Sequence, residues 1–209
     1  LNGLQTFMGI PFAAPPIGEQ RWQPPGDVEN WSGTRQAKDF GSACPQRVYD
    51  DFDMIPKGRA MDEDCLSLNV SAPNGAADLP VLVMIHGGGF VTGSGEYLFQ
   101  LAPLMKAKGV IFVTLNYRLA GLGFLAHPEL DGGQGVNFGL MDQTAALRWV
   151  NRNIAAFGGD PKKVTIIGVS AGAMSVNMLM ASPDTKGLIA GAISQSGYGT
   201  WARQPRTSN

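Results

Sequence analysis

Val164-Thr165-Ile166-Ile167-Gly168-Val169-Ser170-Ala171-Gly172 runs from an apolar stretch through a glycine-flanked serine into a helix-forming segment. A serine hydroxyl becomes a useful nucleophile only when a base takes its proton and donors stabilise the charge its attack creates. The spacing Gly168-x-Ser170-x-Gly172 suits that task, because a serine on a sharp strand-to-helix bend needs neighbours without side chains. A helix starting at Ala171 points its first amides at the serine and favours negative charge there. The pentapeptide alone is a weak signal, and its plain alternative is a tight turn with a capping serine. The strand before it and the helix after it make Ser170 the candidate nucleophile.

A second segment supplies what acyl transfer needs next. His86-Gly87-Gly88-Gly89 directly follows the apolar run Val81–Ile85. Backbone amides stabilise an oxyanion only where the chain approaches closely, which favours glycine. The candidate oxyanion donors are therefore Gly88, Gly89 and Ala171. The other reading of such a run is a phosphate-binding turn, but no Gly-x-Gly-x-x-Gly or Walker spacing accompanies it.

The elements that must position these residues are legible as short apolar runs. Leu66–Val70 alternates like a half-buried strand, and Val81–Ile85, Val110–Leu115, Val164–Ile167 and Leu188–Ile193 read as buried parallel strands. Leu140, Leu147, Val150, Ile154 and Phe157 recur at helical spacing until Gly158-Gly159 stops them, and Ala171–Met180 is a second helix ended by Ser182-Pro183. Strand and helix alternate, so the class is α/β. Residues 1–40, rich in Pro, read as short strands and turns, and the acidic stretch 45–64, with Asp50, Asp51, Asp53, Asp62, Glu63 and Asp64, as a surface loop.

Composition narrows the functions. The chain has 209 residues, 44% hydrophobic and 16% charged, with a net charge of -1, so it is globular and carries no basic stripe for nucleic acid. No apolar run approaches the ~20 residues of a membrane span. No Cys/His cluster has metal-ligand spacing, so neither a metal nor an organic cofactor is expected. Cys44 and Cys65 are the two cysteines. They are either a disulfide, worth ~3 kcal/mol in the chain-entropy model and pointing to export, or two unpaired core residues.

Taken in order, these segments carry a resemblance. The chain resembles the type B carboxylesterase/lipase family, relatives of the cholinesterases. The segments are Gly9-Ile10-Pro11-Phe12-Ala13, Glu63-Asp64-Cys65-Leu66-Ser67-Leu68-Asn69-Val70 and His86-Gly87-Gly88-Gly89-Phe90. They continue with Asn116-Tyr117-Arg118-Leu119, Gly139-Leu140-Met141-Asp142-Gln143, Phe157-Gly158-Gly159-Asp160-Pro161, the Ser170 elbow and Gln195-Ser196-Gly197. The resemblance implies an α/β-hydrolase fold, with a mixed, mostly parallel sheet and helices on both faces. It implies hydrolysis of carboxylic esters through an acyl-enzyme. It also implies a Cys44–Cys65 disulfide, hence a secreted or periplasmic protein, and two buried structural ion pairs, Arg21 with Glu63 and Arg118 with Asp142. Ser196 and His86 are implied as supporting residues around the site, His86 as the orienter of the glycine loop.

Three departures qualify it. Val169 stands where the family usually has Glu before the nucleophile, which removes a carboxylate from the site. No Trp lies between Cys44 and Cys65, where cholinesterases carry their choline-binding ring, so a cation–π site is missing. In this fold the triad runs Ser, acid, His, yet the sequence after Ser170 holds Asp184 and no histidine; His86 and His127 both precede it. Residues 1–209 are therefore expected to be the N-terminal part of a single catalytic domain. A C-terminal fragment of the same enzyme would carry the triad Asp/Glu and His, and the substrate would be a small-molecule ester. The rivals are a specialised esterase of a bulky or anionic ester, of toxin or polyester type, and a non-catalytic adhesion protein like the neuroligins.

Overall fold

The computed structural model describes residues 3–48, 54–131 and 137–198. Asp50, Asp51 and Asp53 of the acidic stretch lie outside them. Six strands form one sheet: β1 (Leu4–Pro11), β2 (Ser67–Pro73), β3 (Leu79–Ile85), β4 (Ile111–Leu115), β5 (Gly159–Val169) and β6 (Gly191–Gln195), in the order β1-β2-β4-β3-β5-β6. β3 runs parallel to β4 and β5, and β5 parallel to β6, while β1–β2 and β2–β4 are antiparallel. The sheet is mixed and mostly parallel, as expected.

Why both faces are covered follows from the strand sequences. Successive strand side chains point to opposite faces. On one face Val81, Val83 and Ile85 of β3 join Ile111, Val113 and Leu115 of β4 in the main core. Leu147 and Val150 of a long helix and Val176 and Leu179 of another complete it. On the other face Met84 and Phe112 pack with Phe99 and Ala102. The helices are α1 (Gly95–Phe99), α2 (Ala102–Ala107), α3 (Ala120–Phe124), α4 (Pro128–Asp131), α5 (Phe138–Asn153) and α6 (Ala171–Ala181). α5 and α6 cover the first face; α1 and α2 cover the second. Among the described residues no helix is long and apolar enough to cross a membrane.

The structure departs from the sequence reading in four places. α5 ends at Asn153, and the last apolar residues tighten into a 3-10 turn, Ile154–Phe157, closed by Gly158 at φ 81°. The short helices α1 to α3 have no periodic signature, because five or six residues give an apolar stripe no room to repeat; Ser94 starts α1 by accepting a hydrogen bond from Tyr97 N–H (3.3 Å). Leu188, Ile189 and Ala190 are not strand: Ala190 N–H donates to Val164 O (2.8 Å), and pairing begins only at Gly191 opposite Thr165. β6 is consequently short, and it is an exposed edge strand, with Ile193 43% exposed.

The fourth departure concerns the ion pairs. Both form. Arg118–Asp142 is buried, with side chains 3% and 0% exposed. Arg21–Glu63 is not buried: its side chains are 44% and 22% exposed, because Arg21 follows a surface 3-10 turn (Gly18–Gln20) and lies over the Trp22 ring. The two cysteines resolve to a bond: Cys44 and Cys65 are disulfide-linked across 21 positions, closing the acidic loop.

Candidate active site

Ser170 occupies the bend between β5 and α6 at φ 56°, ψ -121°, a conformation side-chain-bearing residues rarely adopt. Two backbone bonds hold it there: its N–H donates to Gln195 O (2.9 Å), and its C=O accepts from Met174 N–H (3.0 Å). The flanking glycines are required by contact. A Cβ at Gly168 would lie 2.2 Å from the backbone of Gly172, and one at Gly172 would lie 2.2 Å from Ile85 O. The end of β3 is thereby tucked under the first turn of α6, and the serine side chain faces out to solvent.

The glycine run lies against this elbow. A Cβ at Gly87 would sit 2.7 Å from Val169 O and 3.4 Å from the Ser170 Cβ. Gly88 and Gly89 follow at φ 97° and 62°, and Gly88 C=O accepts from Val91 and Thr92 N–H (3.0 and 3.1 Å), which closes the run into a tight turn. Among the described residues, the N–H groups of Gly88, Gly89 and Ala171 donate to no protein acceptor. Ala171 is the first residue of α6, where the N–H has no intrahelical partner. The elbow thus places an exposed hydroxyl on a bend that packs against Gly87, the residue before Gly88 and Gly89.

His86 is enclosed beneath the turn, 1% exposed. Its ring stacks on Tyr117 (centroids 4.3 Å), whose hydroxyl donates to His86 O (2.9 Å), and its Nδ1 lies 2.9 Å from Gly87 O. Desolvation pushes its pKa down to about 4, so the imidazole is neutral near pH 7 and its Nδ1–H donates to Gly87 O. A ring so enclosed has no route to a solvent-side proton. His127 lies in the exposed loop before α4, where its Nδ1 accepts from Glu129 N–H (3.3 Å). Ser196, at φ 57°, directly follows Gln195, the acceptor of the Ser170 N–H, and is exposed. Val169, next to Ser170, is 38% exposed.

Two polar residues to which the sequence reading assigns no role, Gln46 and Asn116, tie the surrounding loops together. Gln46 bonds through its side chain to Thr92 and Gly93, just past the glycine turn. Asn116 takes Gly95 N–H on its Oδ1 (2.8 Å) and donates to Ser42 O and Cys65 O (3.0 and 3.2 Å). Asn116 stands in the family segment Asn116-Tyr117-Arg118-Leu119, but neither residue's contacts are legible in the sequence, because these partners lie 21 to 74 positions away. Only their short spacing to Cys44 and to β4 hints at a tie.

The Carboxylesterase family profile matches residues 2–209. The chain belongs to the carboxylesterase family. It is 45% identical over 201 residues to the para-nitrobenzyl esterase of Bacillus subtilis (strain 168), covering 94% of this chain and 40% of that protein. It is 43% identical over 201 residues to the fumonisin B1 esterase of Sphingopyxis macrogoltabida, covering 92% of this chain and 36% of the relative. Among solved structures, a thermophilic para-nitrobenzyl esterase superposes with a TM-score of 0.89 at 44% identity, over 94% of this chain and 41% of that one. The fold is that of the α/β-hydrolases, and the chain spans about two-fifths of the length of these carboxylesterase relatives.

Proposed function

We propose that this chain carries the nucleophile part of a serine carboxylic-ester hydrolase. The observation that carries the reading is the exposed Ser170 at positive φ on an elbow packed against Gly87, with the N–H groups of Gly88, Gly89 and Ala171 bonded to no protein acceptor among the described residues. Ser170 Oγ attacks the ester carbonyl carbon as its proton passes to a histidine. The carbonyl oxygen, now an oxyanion, is held by the three amides. The tetrahedral adduct collapses, the alcohol leaves with a proton from the same histidine, and water then hydrolyses the acyl-enzyme in the reverse sequence.

The triad acid and histidine are supplied from outside this chain, by a C-terminal part of the same enzyme. His86 is enclosed and His127 is engaged in a surface turn, so neither serves as the base. His86 instead holds the turn by its bond to Gly87 O, and Ser196, next to the acceptor of the Ser170 N–H, is assigned a supporting role near the triad acid and histidine. The disulfide favours an oxidising compartment, so the enzyme is secreted or periplasmic. A second reading keeps the chemistry and narrows the substrate to bulky or anionic esters. It is favoured by Val169, an apolar side chain partly exposed next to the nucleophile where a carboxylate would repel anions. A non-catalytic adhesion role is disfavoured by the intact serine and donors, and both relatives described above bear esterase names.

Labelling of the full-length enzyme with an aryl phosphonate tests the assignment. A single adduct at Ser170 and loss of turnover in Ser170→Ala are expected. An active Ser170→Ala enzyme would sink it. Comparing a short aryl acetate with a tricarboxylate ester separates the two substrate readings.

A further inference from the structure

We propose that Gln46 is a positioning residue for the oxyanion donors, tying the turn that presents Gly88 and Gly89 to the Cys44–Cys65 disulfide. This rests on the esterase reading above. The turn has an inherent weakness. Close approach to an oxyanion demands glycine, yet Gly87, Gly88, Gly89 and Gly93 give this short segment the greatest backbone freedom of any residue type. Donors that must be preorganised cannot sit on a segment free to wander. Something outside the turn must hold it.

Gln46 does so with its whole carboxamide. Its Oε1 accepts from Thr92 Oγ1–H (2.7 Å) and Gly93 N–H (2.6 Å). Its Nε2 donates to Gly93 O (3.0 Å) and to Cys44 O (2.9 Å). A carboxamide offers two donors and a two-lone-pair acceptor, so its capacity is filled. On the far side, Thr92 is 5% exposed and its N–H donates to Gly88 O. The two residues touch so closely that a Cβ on Gly88 would lie 2.0 Å from Thr92 O. Gly93 is wedged against His86, where a Cβ would lie 2.3 Å from Nδ1. Displacing Thr92 or Gly93 therefore displaces Gly88. The other end of the tie is fixed: Cys44 is bonded to Cys65, which enters the sheet two residues later at Ser67, the start of β2.

Gln46 does not touch the reacting atoms. Its loss should raise the barrier without weakening ground-state binding. The test uses the full-length enzyme with Gln46→Met, which keeps length and removes the hydrogen bonds, and Thr92→Val, which removes one bond isosterically. Two readouts are followed: kcat and KM on an aryl acetate, and affinity for a trifluoromethyl ketone, whose serine adduct places an oxyanion on the same donors. Gln46→Met should lower kcat about 10- to 100-fold with KM within about threefold, and weaken the ketone in parallel. Thr92→Val should move both readouts the same way by less, and it carries the test if Gln46→Met does not fold. The Cys44→Ala/Cys65→Ala double variant should show the same split. An unchanged kcat in folded Gln46→Met and Thr92→Val, or a loss confined to KM with ketone affinity intact, overturns the proposal. Gly89→Ala and Ser170→Ala run alongside. If these two keep full activity, the esterase site itself is wrong; if they lose it while Gln46→Met does not, only the role of Gln46 falls.

Discussion

Enclosure of His86 between Tyr117 and Gly93 makes the folded protein sensitive to acid through one residue. In an unfolded chain a histidine takes up its proton near pH 6.5, whereas His86 in the fold resists until about 4. Between those values the unfolded state binds more protons, so stability falls as pH drops from about 6.5 to about 4. The difference amounts to about 3 kcal/mol. The urea midpoint of the enzyme should therefore decline between pH 7 and pH 4.5, and His86→Phe should flatten that decline; an equal slope in the two proteins would refute the attribution. Ser170 holds a different kind of stored energy. Its φ of 56° with ψ of -121° suits glycine, and such backbone strain is worth about 1–3 kcal/mol. Ser170→Gly should abolish turnover and raise the thermal midpoint. A lowered midpoint would show that the hydroxyl, and not the bend, dominates there.

Between elements, the decisive polar contact is Arg118–Asp142, which joins the segment after β4 to α5. Arg118 donates from Nε to Asp142 Oδ2 (2.8 Å), from Nη2 to Oδ1 (2.7 Å) and from its backbone N–H to Oδ2 (3.0 Å), while Nη1 reaches Gln23 O (2.8 Å). Burial pushes the Asp142 carboxyl up, and Arg118 pulls it back down. Arg118→Met would leave that carboxyl enclosed and unpaired, a loss of about 3–5 kcal/mol. Arg21→Gln, at an exposed pair, should leave the denaturation midpoint nearly unchanged. Chemical denaturation of both variants checks the contrast, and similar losses from the two would contradict it. Burial was the part of this pair of expectations that the sequence could not carry, since Arg21 and Glu63 lie 42 positions apart and their exposure depends on what packs over them. The elbow and the glycine run were legible because residue type there encodes local geometry: Gly88 and Gly89 at positive φ, Gly168 and Gly172 at backbone contact. The start of β6 was not, because register against Thr165, rather than the apolar residues Leu188, Ile189 and Ala190, decides where pairing begins.

At the scale of the whole molecule, the sheet ends in two edge strands, β1 and β6. β1 lies antiparallel on β2, with Met8 N–H donating to Ala37 O (2.9 Å) and Phe7 packed edge-on to Phe157. At the other end β6 pairs with β5 alone among the described residues. β6 exposes Ile193 (43%), and Tyr198 just past its end is 71% exposed. An edge strand offers a row of unpaired N–H and C=O groups, and adjacent apolar surface makes it a template for another chain. The reading of this chain as part of a larger hydrolase domain places further structure over that edge. On that reading, the chain expressed alone should self-associate, and the association should run through β6. Sedimentation velocity over a concentration series should show oligomers that Ile193→Lys suppresses, since a charge on an edge strand disfavours sheet extension. Addition of the remaining part of the enzyme should suppress them too. A monomer at all concentrations, or oligomers indifferent to Ile193→Lys, would mean that the β6 edge is already protected by residues of this chain, and that the open end of the sheet is not where the rest of the enzyme docks.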